Sequence, residues 1–298
     1  MAEIKIYKVV LDIVLFLIVF IPILLVEHFV APFHRGFYCN DDTIKYPYKK
    51  DTISTLLLIV LGIAIPCIAI IFVEIGLFLD AKKRTEIRSS YFRPRHLNTV
   101  SVHPLVYHLY FIIGVFGFGM ATTNLLTETI KLMMGRLRPH FIDVCKPNYN
   151  LFNCSDGYIE ADVCTGDAGQ IDEARLSFVS GHSSVAWYCA LYLVLYLEVR
   201  FTWKISRLVK PVLQIAVLML ALMCSLSRIS DYKHHWSDVL GGGLLGVIVA
   251  ILTYYYVSGL PTMQLPLTTD GESTRNRDRK SGESYDVAPT DQDIENGV

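Results

Sequence analysis

Ser227-Arg228-Ile229-Ser230-Asp231-Tyr232-Lys233-His234-His235-Trp236-Ser237-Asp238 is a polar dozen set between two apolar runs, Val209 to Leu226 and Val239 to Val257. Each run is long enough to cross a bilayer. Polar backbone and side chains between two spans are costly unless they reach an interface or line a cavity. The side chains here suit phosphate chemistry. Arg228 offers a planar fork of donors. His234 can act as nucleophile or proton carrier. Asp238 follows His234 by four residues, so on a helix the two share a face. A carboxylate there would hold the imidazole tautomer and stabilise the cation formed when the ring is phosphorylated. Read alone, the stretch also fits a juxtamembrane loop whose His and Arg meet lipid headgroups.

Composition places the chain in a membrane. Of its 298 residues, 52% are hydrophobic and only 18% charged, and the mean hydropathy is +0.40. The net charge of -1 and the absence of a basic tract give no support to a nucleic-acid partner. Seven cysteines are present. Cys67, Cys189 and Cys224 fall in apolar runs and read as small core residues. Cys39, Cys145, Cys154 and Cys164 fall in polar loops, where up to two disulfides can form in an oxidising compartment, with the pairing open. No metal-ligand spacing of the C-x-x-C type occurs, and no metal or cofactor is expected.

Six spans are expected: about Val9 to Val26, Thr52 to Leu79, Pro104 to Thr129, Ser183 to Val199, Val209 to Leu226 and Val239 to Val257. The first is too long for a cleaved signal peptide and is read as a retained anchor. Pro66 should kink the second. Gly114, Gly117 and Gly119 suggest close packing of the third. The expected fold class is all-α integral membrane, with residues 1–258 forming the membrane domain and 259–298 a disordered cytosolic tail. Lys82, Lys83, Arg84, Arg88, Arg93 and Arg95 follow the second span, and Arg200, Lys204, Arg207 and Lys210 follow the fourth. The positive-inside rule puts both loops and both termini in the cytosol. The loops after spans one, three and five then face outward or into a lumen. Asn153-Cys154-Ser155, an N-glycosylation acceptor, lies in one of them.

Two further clusters lie on that outer side. Lys131 and Arg138 are seven residues apart, close to two helical turns, with Pro139 ending the helix. Alone they also fit cations snorkelling at a span end. Ser180-Gly181-His182 precedes the fourth span. Ser180 or Ser183 can cap that helix, Gly181 permits close backbone approach, and the helix N-terminus suits an anion. His182 stands where it can give a proton to a leaving group. One site assembled from three loops explains the coincidence better than three unrelated loops do.

Lys131-x6-Arg138-Pro139, Ser180-Gly181-His182 and Ser227-Arg228-x5-His234-x3-Asp238 resemble, in order and spacing, the three signature motifs of the type 2 phosphatidate phosphatase superfamily. Within it the chain resembles the lipid phosphate phosphatases. The stretches Arg35-Gly36-Phe37-Tyr38-Cys39-Asn40-Asp41, Ile44-Lys45-Tyr46-Pro47-Tyr48 and Gly135-Arg136-Leu137-Arg138-Pro139-His140-Phe141 add support, and the resemblance spans roughly Arg35 to Ser258. Val179 stands where many members of the broad superfamily have Pro.

The resemblance implies a six-span helical fold and metal-independent hydrolysis of lipid phosphate monoesters. Phosphatidate, lysophosphatidate, sphingosine 1-phosphate and ceramide 1-phosphate are the implied substrates. His234 would form a phosphohistidine, Asp238 would orient it, and His182 would protonate the leaving alkoxide and then activate water. Lys131, Arg138, Ser180, Gly181 and Arg228 would hold the phosphate. The family also implies self-association as a homo-oligomer, and the plasma membrane ahead of endomembranes as the location. Three other readings compete. A lipid phosphotransferase would use the same His pair. A non-catalytic lipid-phosphate-binding or adhesion protein would be expected to lack the nucleophile or the acid. A transporter would be expected to carry intramembrane charge pairs and paired broken helices, which the spans do not display.

Overall fold

The computed structural model describes residues 2–83, 99–203 and 206–260. In chain order, strand β1 (Ala2–Lys5) leads into helix α1 (Ile6–Phe29). Strand β2 (Phe37–Tyr38) and a 3-10 turn (Asp42–Ile44) precede α2 (Thr55–Lys83). Strand β3 (Thr99–Val102) precedes α3 (Pro104–Met134). Helix α4 (Phe141–Cys145), strand β4 (Tyr158–Ile159) and α5 (Ala168–Ala174) lie in the long loop that follows. Then come α6 (Gly181–Arg200), α7 (Val209–Ser230) and α8 (Trp236–Leu252), the last running on as a π turn, Thr253–Val257. The expected tail and most of the basic loop after α2 lie outside the described residues.

Each expected span coincides with a helix. Among the described residues, five helices are long and apolar enough to cross a membrane, over Ile6–Val26, Thr55–Asp80, Leu105–Met134, Val209–Ser230 and Trp236–Val257. The expected fourth span is the exception. Its helix, α6, has 20 residues but is less apolar than the others. Packing explains why. α6 packs against α2, α3, α7 and α8, so its surface meets protein. Three tyrosines one turn apart on it are fully buried: Tyr188, Tyr192 and Tyr196. Each donates to a carbonyl of a neighbouring helix, Phe116 at 2.7 Å, Ile112 at 3.4 Å and Ile70 at 3.5 Å. A buried hydroxyl without a partner would be costly, and this ladder removes that cost.

The closest helix approach is between α6 and α8, and small residues make it. A Cβ at Gly242 would overlap the Ser180 carbonyl, and one at Gly246 would overlap the Ser184 carbonyl. On the facing side Ser183 donates to the Val239 carbonyl at 2.7 Å. This small-residue seam, not the expected trio on α3, brings two backbones together. Of that trio, Gly119 is crowded by Tyr188 and Thr253, whereas a Cβ at Gly114 would meet nothing within 4 Å.

Two departures from the expectations concern polarity. The helical bundle is flanked by two short antiparallel sheets, β1 with β3 and β2 with β4, so the all-α description holds for the bundle alone. The apolar runs also hide polar pairs. Tyr110 donates to Asp12 across α3 and α1 at 2.9 Å. Glu74 on α2 takes a two-pronged ion pair from Arg200 on α6, at 2.8 and 2.6 Å, and a third bond from Tyr196 at 2.9 Å.

The loops 31–54 and 135–180, read from sequence as polar connections, build a small core of their own. Phe37, Ile44, Leu137, Phe141, Val163 and Ile171 are buried together in it. Cys39 is bonded to Cys154 and Cys145 to Cys164, which resolves the pairing that the sequence left open. Asn153 is exposed beside the first of these bridges.

Candidate active site

The three motifs meet at one end of the bundle: the C-terminal ends of α3 and α7, the N-terminal ends of α6 and α8, and the loop folded over them. Lys131 lies in the last turn of α3, which ends at Met134. Gly135 caps it in the left-handed conformation, φ 53°, and its amide donates to the Lys131 carbonyl at 3.1 Å. A side chain there would be strained and would overlap the Phe33 carbonyl. The helix thus stops before Pro139. Lys131 and Arg138 are therefore not two turns apart on one helix. The chain turns at Gly135 and brings Arg138 back, its amide donating to the Ala174 carbonyl at 2.8 Å.

Gly181 opens α6, and a Cβ on it would stand 3.2 Å from the Lys131 ammonium. Ser180 occupies the cap position, yet its side chain makes no capping bond. Its hydroxyl and the Arg138 Nε are buried with no hydrogen-bond partner. Buried polar atoms are rarely left so, and two of them beside a helix start with unbonded amides are donors suited to an anion.

His234 is only 4% exposed and precedes α8, in the turn after α7. Its Nδ1 is 2.7 Å from the Ser177 carbonyl. A carbonyl only accepts, so the proton sits on Nδ1 and the lone pair on Nε2. The expected direct bond from Asp238 is not made, since the carboxylate is 4.0 Å from Nδ1. Because α8 starts at Trp236, the spacing of four residues spans a helix start rather than a continuous face. Fully buried Asp238 instead accepts from Ser177 Oγ at 2.6 Å, from the His235 amide at 2.9 Å and from Arg136. It thereby fixes the residue whose carbonyl orients His234. Burial, reinforced by the Arg138 and Lys131 cations, holds the His234 ring well below the usual histidine range, so the ring is neutral at pH 7.

The cations arrive partly neutralised. Lys131 pairs with Glu128 at 2.7 Å and Arg138 with Glu173 at 2.9 Å. Arg228 is 1% exposed and bridges Asp51 and Asp231, at 2.9 and 2.8 Å. Asp231 also accepts from Thr52, which ties the loop before α2 to the end of α7. The Nε2 of His182 bonds the Ile53 carbonyl of the same loop at 3.1 Å. His235 turns away and bonds the Leu137 carbonyl at 3.1 Å.

Several residues here were not singled out from sequence. Lys233 is 4% exposed, 3.8 Å from Asp51 and over the Tyr48 ring. Its place inside the polar dozen was the available signal. Arg136 stands in one of the stretches that support the resemblance but had no assigned role, and Ser177 and Asp51 carry no signal of their own, since their roles depend on contacts between distant segments.

These buried rings set an acid limit on stability. Burial pulls His140 down from 6.5 to about 4, and the Arg138 and Lys233 cations add to the shift. A histidine depressed in the fold binds fewer protons than its unfolded counterpart. The stability from His140 is therefore complete above about pH 6.5 and is lost as pH falls towards about 4, and His234, depressed in the same direction, adds to the loss below about pH 6.5. Thermal unfolding in detergent should show a falling melting temperature across that window. A flat profile would contradict the burial of these rings.

The PAP2 superfamily model matches residues 113–261, which hold all three motifs. The chain is 43% identical over 250 residues to phospholipid phosphatase 1 of Mus musculus, covering 84% of each chain. It is 42% identical over 251 residues to phospholipid phosphatase 2 of Mus musculus, covering 84% of this chain and 86% of that one. Phospholipid phosphatase 2 of Bos taurus is 40% identical over 250 residues, 84% of this chain and 82% of the relative. No solved structure matches significantly. With the family model matching half of the chain and these relatives aligned over most of it, the chain belongs to the PAP2 superfamily, among its phospholipid phosphatases.

Proposed function

We propose that this chain hydrolyses lipid phosphate monoesters through a phosphohistidine on His234. The observation that carries the reading is the His234 ring: neutral, its Nδ1 proton committed to the Ser177 carbonyl, its Nε2 lone pair left for attack among the Lys131 and Arg138 cations. In the first step Nε2 attacks phosphorus and the bond from phosphorus to the lipid oxygen breaks. A proton brought in by the substrate's phosphate monoanion passes through His182 Nδ1 to that oxygen, with Nε2–H staying on the Ile53 carbonyl, and the lipid alcohol leaves. In the second step water attacks phosphorus, His182 takes its proton, the P–N bond breaks and phosphate departs. Lys131, Arg138, Arg228, the Ser180 hydroxyl and the Gly181 amide hold the phosphoryl oxygens and offset their charge in the transition state. The cations and amides supply stabilisation that metal ions provide in other phosphoryl-transfer sites. Asp238 acts through Ser177 as a positioning residue and lies near enough to favour the charged phosphohistidine ring.

The membrane arrangement follows from the same reading. Six helices cross the bilayer, α6 in the protein-lined middle, with both termini cytosolic and the site on the outer or luminal face. Phosphatidate, lysophosphatidate, sphingosine 1-phosphate and ceramide 1-phosphate would keep their tails in the bilayer while the headgroup enters. The plasma membrane is the proposed location, and Asn153 is a proposed glycan acceptor.

Phosphate release from phosphatidate in detergent micelles with excess chelator tests the activity. Release is expected to persist undiminished. Release abolished by the chelator would contradict the mechanism, and none from any lipid phosphate would favour the binding or adhesion reading.

A further inference from the structure

Asp238 is 0% exposed, and each of its oxygens is engaged. Oδ2 accepts from Ser177 Oγ and the His235 amide, and Oδ1 accepts from Arg136 Nη1, which also reaches Ser237 Oγ at 2.8 Å. A buried carboxylate is stable only with a charge or hydrogen bonds to offset it. Among the described residues, Asp238 has a single permanent cation within ion-pair distance, Arg136, the other neighbour being the His234 ring at 4.0 Å. If Asp238 were not neutralised from the Arg136 side, its charge would act on the His234 ring 4.0 Å away.

We propose that Arg136 is a positioning residue that neutralises Asp238 and so keeps the His234 nucleophile unprotonated at the pH of catalysis. The inference rests on the phosphohistidine reading. Charged or titratable groups reach His234 from every side. Lys131 comes from α3, Arg138 from the loop beyond it, His182 from α6 and Asp238 from α8. Around Asp238 lie Arg136 and His235, with Asp41 acting on His235 from the loop before α2. Lys131 and Arg138 are themselves paired with Glu128 and Glu173, and Asp238 is the carboxylate at 4.0 Å from the ring. Left without Arg136, its charge would offset part of the positive field that keeps the ring neutral. Arg136, like Lys233, is a cation of this region outside the expected phosphate-holding set, and its bond to Asp238 points it away from that role.

The test compares the pH dependence of kcat/KM for phosphatidate in wild type, Arg136→Gln and Arg136→Lys. An unbalanced carboxylate at this separation favours the imidazolium, so the acid limb of Arg136→Gln should move up by about one pH unit or more. KM at high pH should change by less than about threefold, because the phosphate contacts remain. Arg136→Lys should keep the limb at the wild-type position. An unmoved limb in a folded, active Arg136→Gln would overturn the inference while leaving the phosphatase reading intact. A wild type that releases no phosphate would instead defeat the reading beneath it. If Arg136→Gln does not fold, Arg136→Gln with Asp238→Asn decides. A folded double variant whose acid limb lies no higher than wild type supports the inference, and one whose limb lies above it overturns it. Failure of the double variant to fold also overturns it.

Discussion

His234→Ala is expected to lower phosphate release from phosphatidate by on the order of 10⁴-fold or more, with the protein still folded. The size follows from the chemistry. Phosphate monoesters hydrolyse extremely slowly unaided, and without Nε2 the remaining cations can bind and polarise the substrate but cannot form the covalent intermediate. His235→Ala is the internal control. That neighbour bonds the Leu137 carbonyl and is held away from the phosphate donors, so its loss should cost no more than about tenfold, through loosening of the loop that carries Arg138. Equal losses from the two variants, measured as released phosphate per folded protein, would contradict the assignment of the nucleophile.

Glu74→Ala is expected to cost about 3–5 kcal/mol of stability, because it leaves the Arg200 guanidinium buried and unpaired. Glu74 is 3% exposed and Arg200 7%, and Tyr196 loses its nearer acceptor in the same change, keeping the Ile70 carbonyl at 3.5 Å. Replacing both charged residues with leucine should recover most of the loss, since a buried pair is weak support compared with apolar packing. The pair sits at the end of α6 opposite Ser180 and His182, so the folded fraction of Glu74→Ala should keep its turnover. Melting temperature in detergent measures the first effect and phosphate release per folded protein the second. A melting temperature equal to wild type would show that the pair does not hold α2 to α6.

Much of the bundle was legible because bilayer crossing is written locally, as runs of apolar residues. All six expected spans fall on helices, and their ends differ by a few residues. The candidate site residues were legible as motifs because their order and spacing are unusual, and the structure brings them together. Their geometry was not legible. That α3 stops at Gly135 depends on a left-handed glycine, which competes with the apparent continuation to Pro139. That Asp238 holds Ser177 rather than His234 depends on a contact between residues 61 apart. Arg200 reads from sequence as a loop cation and Glu74 draws no reading at all, and only their meeting across 126 residues makes them a buried pair. The disulfide pairing and the loop core are likewise products of tertiary contact. Tyr188, Tyr192 and Tyr196 show the reverse case, where a weak apolar signal marks the helix most enclosed by others.

The covalent intermediate is the central claim, and trapping it is the direct test. His182→Asn should still let Nε2 displace the lipid from a substrate with a good leaving group, but it should slow the attack of water. Quenching that variant in alkali after brief exposure to labelled substrate, then mapping peptides by mass, should find the phosphoryl group on His234 in stable, alkali-resistant form. Its absence while turnover continues, or its appearance on Ser180 or another residue, would contradict the account.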